Sequence, residues 1–178
     1  MFSEQFSSLA KQPFFSSEED SELRVIFGSG SIDLVGEEAK VFGKKVLLVT
    51  DKGIVAAGHV DRALTVLHAA GLQVAVFDES IENPTCSSIN HCRDIAQSFG
   101  ADLLIGFGGG SSMDTAKGCN FVLTNGGEMK DYWGVGKATK DMLPFLAVPT
   151  TAGTGSECQS FALISDDSTH MKMACGDR

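Results

Sequence analysis

Hydrophobic residues fall into two alternating rhythms from about residue 44 onward. Short aliphatic runs, Val46 to Val49, Val74 to Phe77 and Leu103 to Phe107, are each followed by stretches whose apolar residues recur every three or four positions. Val60, Leu64 and Leu67 mark the first stretch, closed by Gly71, and Ile89, Cys92, Ile95 and Phe99 mark the second, closed by Gly100. A third runs from about Ser111 to Leu123. Such runs suit strands buried on both faces, and a 3.6-residue recurrence stopped by glycine suits helices. Val46, Val74 and Leu103 lie 28 and 29 residues apart, the length of a βα unit, and parallel strands need crossovers of that size. The pattern predicts βαβαβα, an α/β domain built on a parallel sheet. Pro144 to Val148 is expected to add a strand, Arg24 to Phe27 a short strand before the repeat, and Gly28-Ser29-Gly30 and Asn125-Gly126-Gly127 turns.

Composition narrows what such a domain can do. The 178 residues are 43% hydrophobic and 21% charged, an ordinary globular balance, and 20 are glycine. A net charge of -9 opposes binding to a phosphate backbone, which draws its affinity from basic side chains. No apolar run approaches the roughly 18 residues needed to cross a bilayer. Neither nucleic acid nor a membrane is an expected partner. Phe2, Phe6, Leu9, Phe14 and Phe15 sit among Glu4, Lys11 and Glu18 to Asp20, which breaks up any signal-peptide core. Residues 1–22 are expected to form an N-terminal arm ahead of a domain spanning 23–178. Five cysteines without CxxC spacing point to free thiols in a reducing cytoplasm.

The densest chemistry lies in Phe107-Gly-Gly-Gly-Ser-Ser-Met-Asp-Thr-Ala-Lys117, which leaves a strand and opens a helix. Without Cβ atoms, Gly108, Gly109 and Gly110 let the backbone approach a ligand, and the helix N-terminus beyond favours an anion such as pyrophosphate. Ser111 and Ser112 add hydroxyl donors or an N-cap. Asp114 falls where the helix dipole favours a carboxylate whatever its function, and Lys117 either reaches phosphate or is solvated on the helix surface. The motif departs from GxGxxG and follows the third strand of the repeat, unlike a generic dinucleotide fingerprint. Asp51 ends the first strand, where it can accept from a ribose hydroxyl or cap a helix; Asn83-Pro84-Thr85 reads as a turn after the second. In Pro149-Thr-Thr-Ala-Gly-Thr-Gly-Ser-Glu157, the hydroxyls of Thr150, Thr151, Thr154 and Ser156 stand among small residues able to close on a polar ligand. His59, His68, His91 and His170 have no metal-pair spacing, and no nucleophile elbow or Walker lysine is present. Tyr132 and Trp133 are expected to pack.

Taken in order, FGSGS at 27–31, LLVTDKG at 47–53, ENPT at 82–85, GGGSSMDTAK at 108–117 and PTTAGTGSE at 149–157 resemble the iron-containing (group III) alcohol dehydrogenase family. The likeness covers nearly all of residues 24–173. Ser111 and the AGTGSE stretch set it apart from glycerol dehydrogenases and dehydroquinate synthases of the same superfamily. The resemblance implies a Rossmann-like nucleotide-binding domain followed by a helical metal-binding domain. It places Asp51 and Asn83 at the adenosine side, Gly108 to Ser112 on the pyrophosphate, and Asp114 near the nicotinamide end. Thr150, Thr151 and Thr154 would line the cleft and Lys172 would stand near a ribose. Asp51 favours NAD over NADP.

In the family, one Asp and three His of the second domain bind Fe²⁺ or Zn²⁺, which polarises the oxygen of an alcohol or aldehyde substrate. This chain ends at Arg178, ahead of the segment where those ligands are expected. The expectation is therefore the cofactor-binding half of an NAD-dependent, metal-dependent alcohol dehydrogenase. It has no catalytic or metal-binding residue of its own and no activity by itself. It is expected to self-associate through the face left uncovered. The alternatives are a stand-alone nucleotide-binding or interaction module, or a relative with different chemistry.

Overall fold

The computed structural model describes residues 24–177; the expected N-terminal arm lies outside them. Four parallel strands, β1 (Lys45–Val49), β2 (Gln73–Phe77), β3 (Leu103–Gly108) and, further on, β5 (Phe145–Pro149), form one sheet in the order β2-β1-β3-β5. Register is continuous, from Val46 beside Val74 and Leu103 to Gly108 beside Pro149. The helices are α1 (Val35–Ala39), α2 (Lys52–Ala56), α3 (His59–Ala69), α4 (Cys86–Phe99) and α5 (Gly110–Asn125).

Alternation along β1 and β3 sorts the two faces. Val46, Leu48, Leu103, Ile105 and Phe107 meet Val60, Ala63 and Leu67 of α3 and Val35 and Ala39 of α1. Leu47, Val49 and Leu104 point the other way, against Cys92 and Ala96 of α4 and Ala116 and Cys119 of α5. Thr85 starts α4 through a capping box: Ser88 N–H donates to Thr85 Oγ1 at 3.3 Å, and Thr85 N–H donates to Ser88 Oγ at 2.9 Å.

Beyond α5 lies a second sheet, β4 (Gly134–Val135), β7 (Lys172–Gly176) and β6 (Phe161–Ser165), in that order. β6 and β7 are antiparallel, with Ala162 opposite Cys175 and Ile164 opposite Met173. Their inner side chains pack with Ile89, Phe121, Val122 and Tyr132. Caught between two sheets, α5 is buried around its circumference, at Ser112, Met113 and Thr115 through Val122. That burial explains why its sequence lacks one clean apolar stripe.

Two sequence expectations are corrected. Residues 24–27 form no strand: Val25 and Phe27 are exposed and Arg24 pairs with Glu38 instead. A strand needs an accepting edge, and among the described residues this segment pairs with none. Trp133 is about half exposed, whereas Tyr132 is buried, its hydroxyl donating to the Gly126 carbonyl at 2.6 Å. The segment after residue 30, unassigned by periodicity, forms a 3-10 turn (Ser31–Leu34) and α1. A Cβ on Gly36 would lie 2.3 Å from the Val66 carbonyl oxygen, so α1 sits on α3 only because that atom is missing. Gly36→Ala is expected to cost about 2 kcal/mol, lowering the melting temperature by roughly 4–8 °C in a thermal scan.

Candidate functional site

Strand order dictates where a ligand can enter. The connection leaving β1 runs to α2 and α3 on one face of the sheet, and the connection leaving β3 runs to α5 on the other. β1 and β3 are neighbours, so the two connections diverge and leave a crevice at their C-terminal ends. In open α/β sheets such a switch point is where ligands bind. With the order β2-β1-β3, the glycine loop after the third strand of the repeat lies at this switch point, beside the loop that leaves β1.

The crevice walls carry most of the expected residues. Asp51 caps α2: its Oδ1 accepts from the backbone N–H groups of Gly53 at 2.8 Å and Ile54 at 3.1 Å. Its Oδ2 accepts from Ser112 Oγ at 3.3 Å, so the carboxylate spans the crevice to the first turn of α5. The residue is both a helix cap and a wall of the site. Gly109, rather than Ser111 or Ser112, is the N-cap of α5, and among the described residues no side chain caps the helix's first amides. Those N–H groups are directed to the crevice mouth, where the helix dipole places positive potential in a chain of net charge -9.

The threonine loop forms the third wall. Thr150 N–H donates to the Gly108 carbonyl at 2.9 Å, continuing the β3–β5 ladder. A Cβ on Gly109 would lie 3.4 Å from Thr151 Oγ1, and one on Gly110 would lie 3.4 Å from Thr154 Cβ and Cγ2. Side chains at either position would fill the gap between glycine loop and threonine loop. The structure thus gathers Asp51, Gly108, Gly109, Gly110, Ser112, Thr150, Thr151 and Thr154.

Three expected residues stand differently. Asn83 is exposed on the loop after β2, in a left-handed conformation at φ 54°, and its side chain makes no hydrogen bond among the described residues. Lys172 is exposed at the start of β7. Asp114 turns toward the second sheet, where its Oδ1 accepts from Ser156 Oγ at 2.9 Å. Burial pushes the Asp114 carboxyl above its usual range, against the pull of the Ser156 hydrogen bond and the Lys117 and Lys172 charges. Lys117 neither reaches the crevice nor lies in solvent; it is buried against Ser156 and Phe161. Spacing along the helix carried no sign of this, because its burial comes from a hairpin distant in sequence. A cavity of about 340 Å³ flanked by Lys117, Asn120 and Phe145 lies apart from the glycine loop, which contributes nothing to its lining.

A divalent metal finds no corresponding cradle. Among the described residues, no three His, Cys, Asp or Glu side chains converge. The cysteines in this region are unpaired. No described helix is long and apolar enough to cross a membrane.

The parallel α/β sheet thus carries the glycine loop and the N-terminus of α5 at its switch point. Residues 23–178 match the model of the iron-containing alcohol dehydrogenase family, and the chain belongs to that family. It is 38% identical over 154 residues to alcohol dehydrogenase 4 of Schizosaccharomyces pombe, covering 86% of this chain and 36% of that protein. Among solved structures, a 1,3-propanediol oxidoreductase superposes with a TM-score of 0.80 at 35% identity, over 83% of this chain and 39% of that one. A sulfoacetaldehyde reductase from Bifidobacterium kashiwanohense, solved in complex with NAD⁺, gives a TM-score of 0.70 at 26% identity, over 83% and 39%. The chain therefore spans about two fifths of the length of these relatives, their N-terminal part.

Proposed function

We propose that this chain is the NAD-binding half of an alcohol dehydrogenase, serving hydride transfer between the cofactor and a small alcohol or aldehyde. The observation that carries the reading is the convergence of the glycine cradle, the amides of α5 and the threonine loop on one crevice. A dinucleotide fits it: the space a Cβ would fill at Gly109 and Gly110 is left to the ligand. The α5 amides, with Ser111 and Ser112, would hold the pyrophosphate. Asp51, fixed by its two amide bonds, would accept from a ribose hydroxyl and repel a 2′-phosphate, which favours NAD over NADP. Asn83 would flank the adenosine, with Asp114 toward the nicotinamide end and Lys172 near a ribose. The bound cofactor supplies the hydride acceptor or donor.

The Fe²⁺ or Zn²⁺ implied by the family resemblance has no ligand set among the described residues, and no step through a metal is assigned to them. In this reading the complete enzyme is a cytoplasmic homo-oligomer.

Parallel calorimetric titrations with NADH and NADPH test the proposal. NADH is expected to saturate the chain with NADPH much weaker. Asp51→Ala should cost NADH about tenfold in affinity and narrow the gap between the two cofactors. A preference for NADPH would overturn the role of Asp51, and binding of neither would remove the cofactor reading.

A further inference from the structure

Lys117 is only 8% exposed although it carries an ammonium group. Its Nζ donates to the Ser156 carbonyl, to Ser156 Oγ at 3.1 Å and to the Phe161 carbonyl at 3.1 Å. An ammonium has three N–H donors and no acceptor, so every donor is committed inside the protein. None remains for a phosphate.

The acceptors lie where the threonine loop ends. Ser156 opens the 3-10 turn Ser156–Cys158 that closes the loop, and Phe161 is the first residue of β6. Ser156 Oγ accepts from Lys117 while donating to Asp114 Oδ1 at 2.9 Å. Asp114 and Lys117 are three residues apart and so share one face of α5. They grip the same serine from successive turns of the helix whose N-terminus forms the crevice. The ring of Phe145 on β5 lies 5.9 Å from Nζ, adding a cation–π contact. Burial pulls the lysine's pKa down while the Asp114 and Glu157 carboxylates oppose it. Such a group is retained at a cost, and removing it would take this donor from the Ser156 and Phe161 carbonyls.

We infer that Lys117 is a positioning residue for the dinucleotide crevice, tying the base of the threonine loop to α5 so that Thr151 and Thr154 stay opposite Gly109 and Gly110, without touching the cofactor itself. This role rests on the cofactor reading above. It accounts for a lysine fixed at the end of the glycine motif yet turned away from the anion site.

The test is Lys117→Met in the full chain, read by NADH titration at several salt concentrations and by amide hydrogen exchange without ligand. NADH affinity is expected to fall about tenfold. Its dependence on salt should match that of the unaltered chain, because no exposed phosphate contact has been removed. Exchange should quicken at residues 150–158 and stay unchanged in β1 and β3. A flattened salt dependence would mean direct phosphate contact and overturn the inference. So would wild-type affinity, or exchange raised uniformly through the domain. If the variant does not fold, Ser156→Ala, which keeps the backbone acceptors, should weaken NADH about threefold with the same local exchange; unchanged affinity there overturns the role. Failure of the unaltered chain to bind NADH removes the cofactor reading, and this role with it. Unaltered binding in both variants removes this role alone.

Discussion

Gly108→Ala is expected to weaken NADH binding by about 100-fold or more, near 2.8 kcal/mol, and to lower the melting temperature by roughly 4–8 °C. Gly108 sits at φ 150°, where a side chain is strained. A Cβ there would lie 2.6 Å from Ser112 Oγ, 3.0 Å from Ser112 Cβ and 3.3 Å from Asp51 Oδ2. Ser112 is buried and cannot swing aside. The first turn of α5 must therefore move away from Asp51, separating the two walls that the crevice requires. Strain and displacement together account for about 2 kcal/mol of stability. Gly109→Val provides the contrast: its conformation suits any residue, and the first Cβ contact is an ordinary 3.4 Å to Thr151 Oγ1. That variant should lose NADH binding while melting within about 2 °C of the parent, because the added methyls occupy ligand space rather than core. Calorimetry paired with thermal melts separates the two effects. Undiminished NADH binding in both variants would show that the glycine loop is not where the cofactor lies.

Leu47→Ala is expected to destabilise the fold by about 3–4 kcal/mol, lowering the melting temperature by roughly 6–16 °C. Leu47 is fully buried on β1, among Val49, Phe77, Leu104, Cys92 and Ala116, and close packing on both sides leaves little room for the cavity to collapse. Val76→Ala on β2 should cost less than about 1 kcal/mol, since β2 is an edge strand and Val76 is 37% exposed. Urea denaturation of the two variants measures the difference. Equal losses would contradict the strand order, because that order alone makes one valine- and leucine-rich run central and the other peripheral.

That comparison shows how far the linear pattern reaches. The runs at Val46, Val74 and Leu103 look alike in sequence, and each is a strand within a residue or two of its expected ends. α3 and α4 also lie where 3.6-residue recurrence places them, with Gly71 and Gly100, both of positive φ, just beyond their last turns, whereas the short α2 directly after β1 carries no such recurrence. Repetition of a buried strand and an amphipathic helix is local chemistry, and so is the need for glycine where backbone must approach a ligand. The family match spans all of those motifs, over residues 23–178.

Nothing in the pattern shows which strand is an edge, or that the glycine loop faces Asp51 and the threonine loop together. Those facts follow from β1 lying between β2 and β3, a pairing between segments about 30 to 60 residues apart. The β6–β7 hairpin has no clear signal in the sequence because its alternation is short and its inner face is completed by α5. The burial of Lys117 is hidden in the sequence for the same reason. Along the helix it reads as a lysine that either reaches phosphate or is solvated, and only the arrival of Ser156 and Phe161 buries it and uses its donors. Local propensity and periodicity act over a few residues and are written along the chain. The partners of a buried charge and the walls of a crevice depend on long-range strand order, which only packing in three dimensions decides.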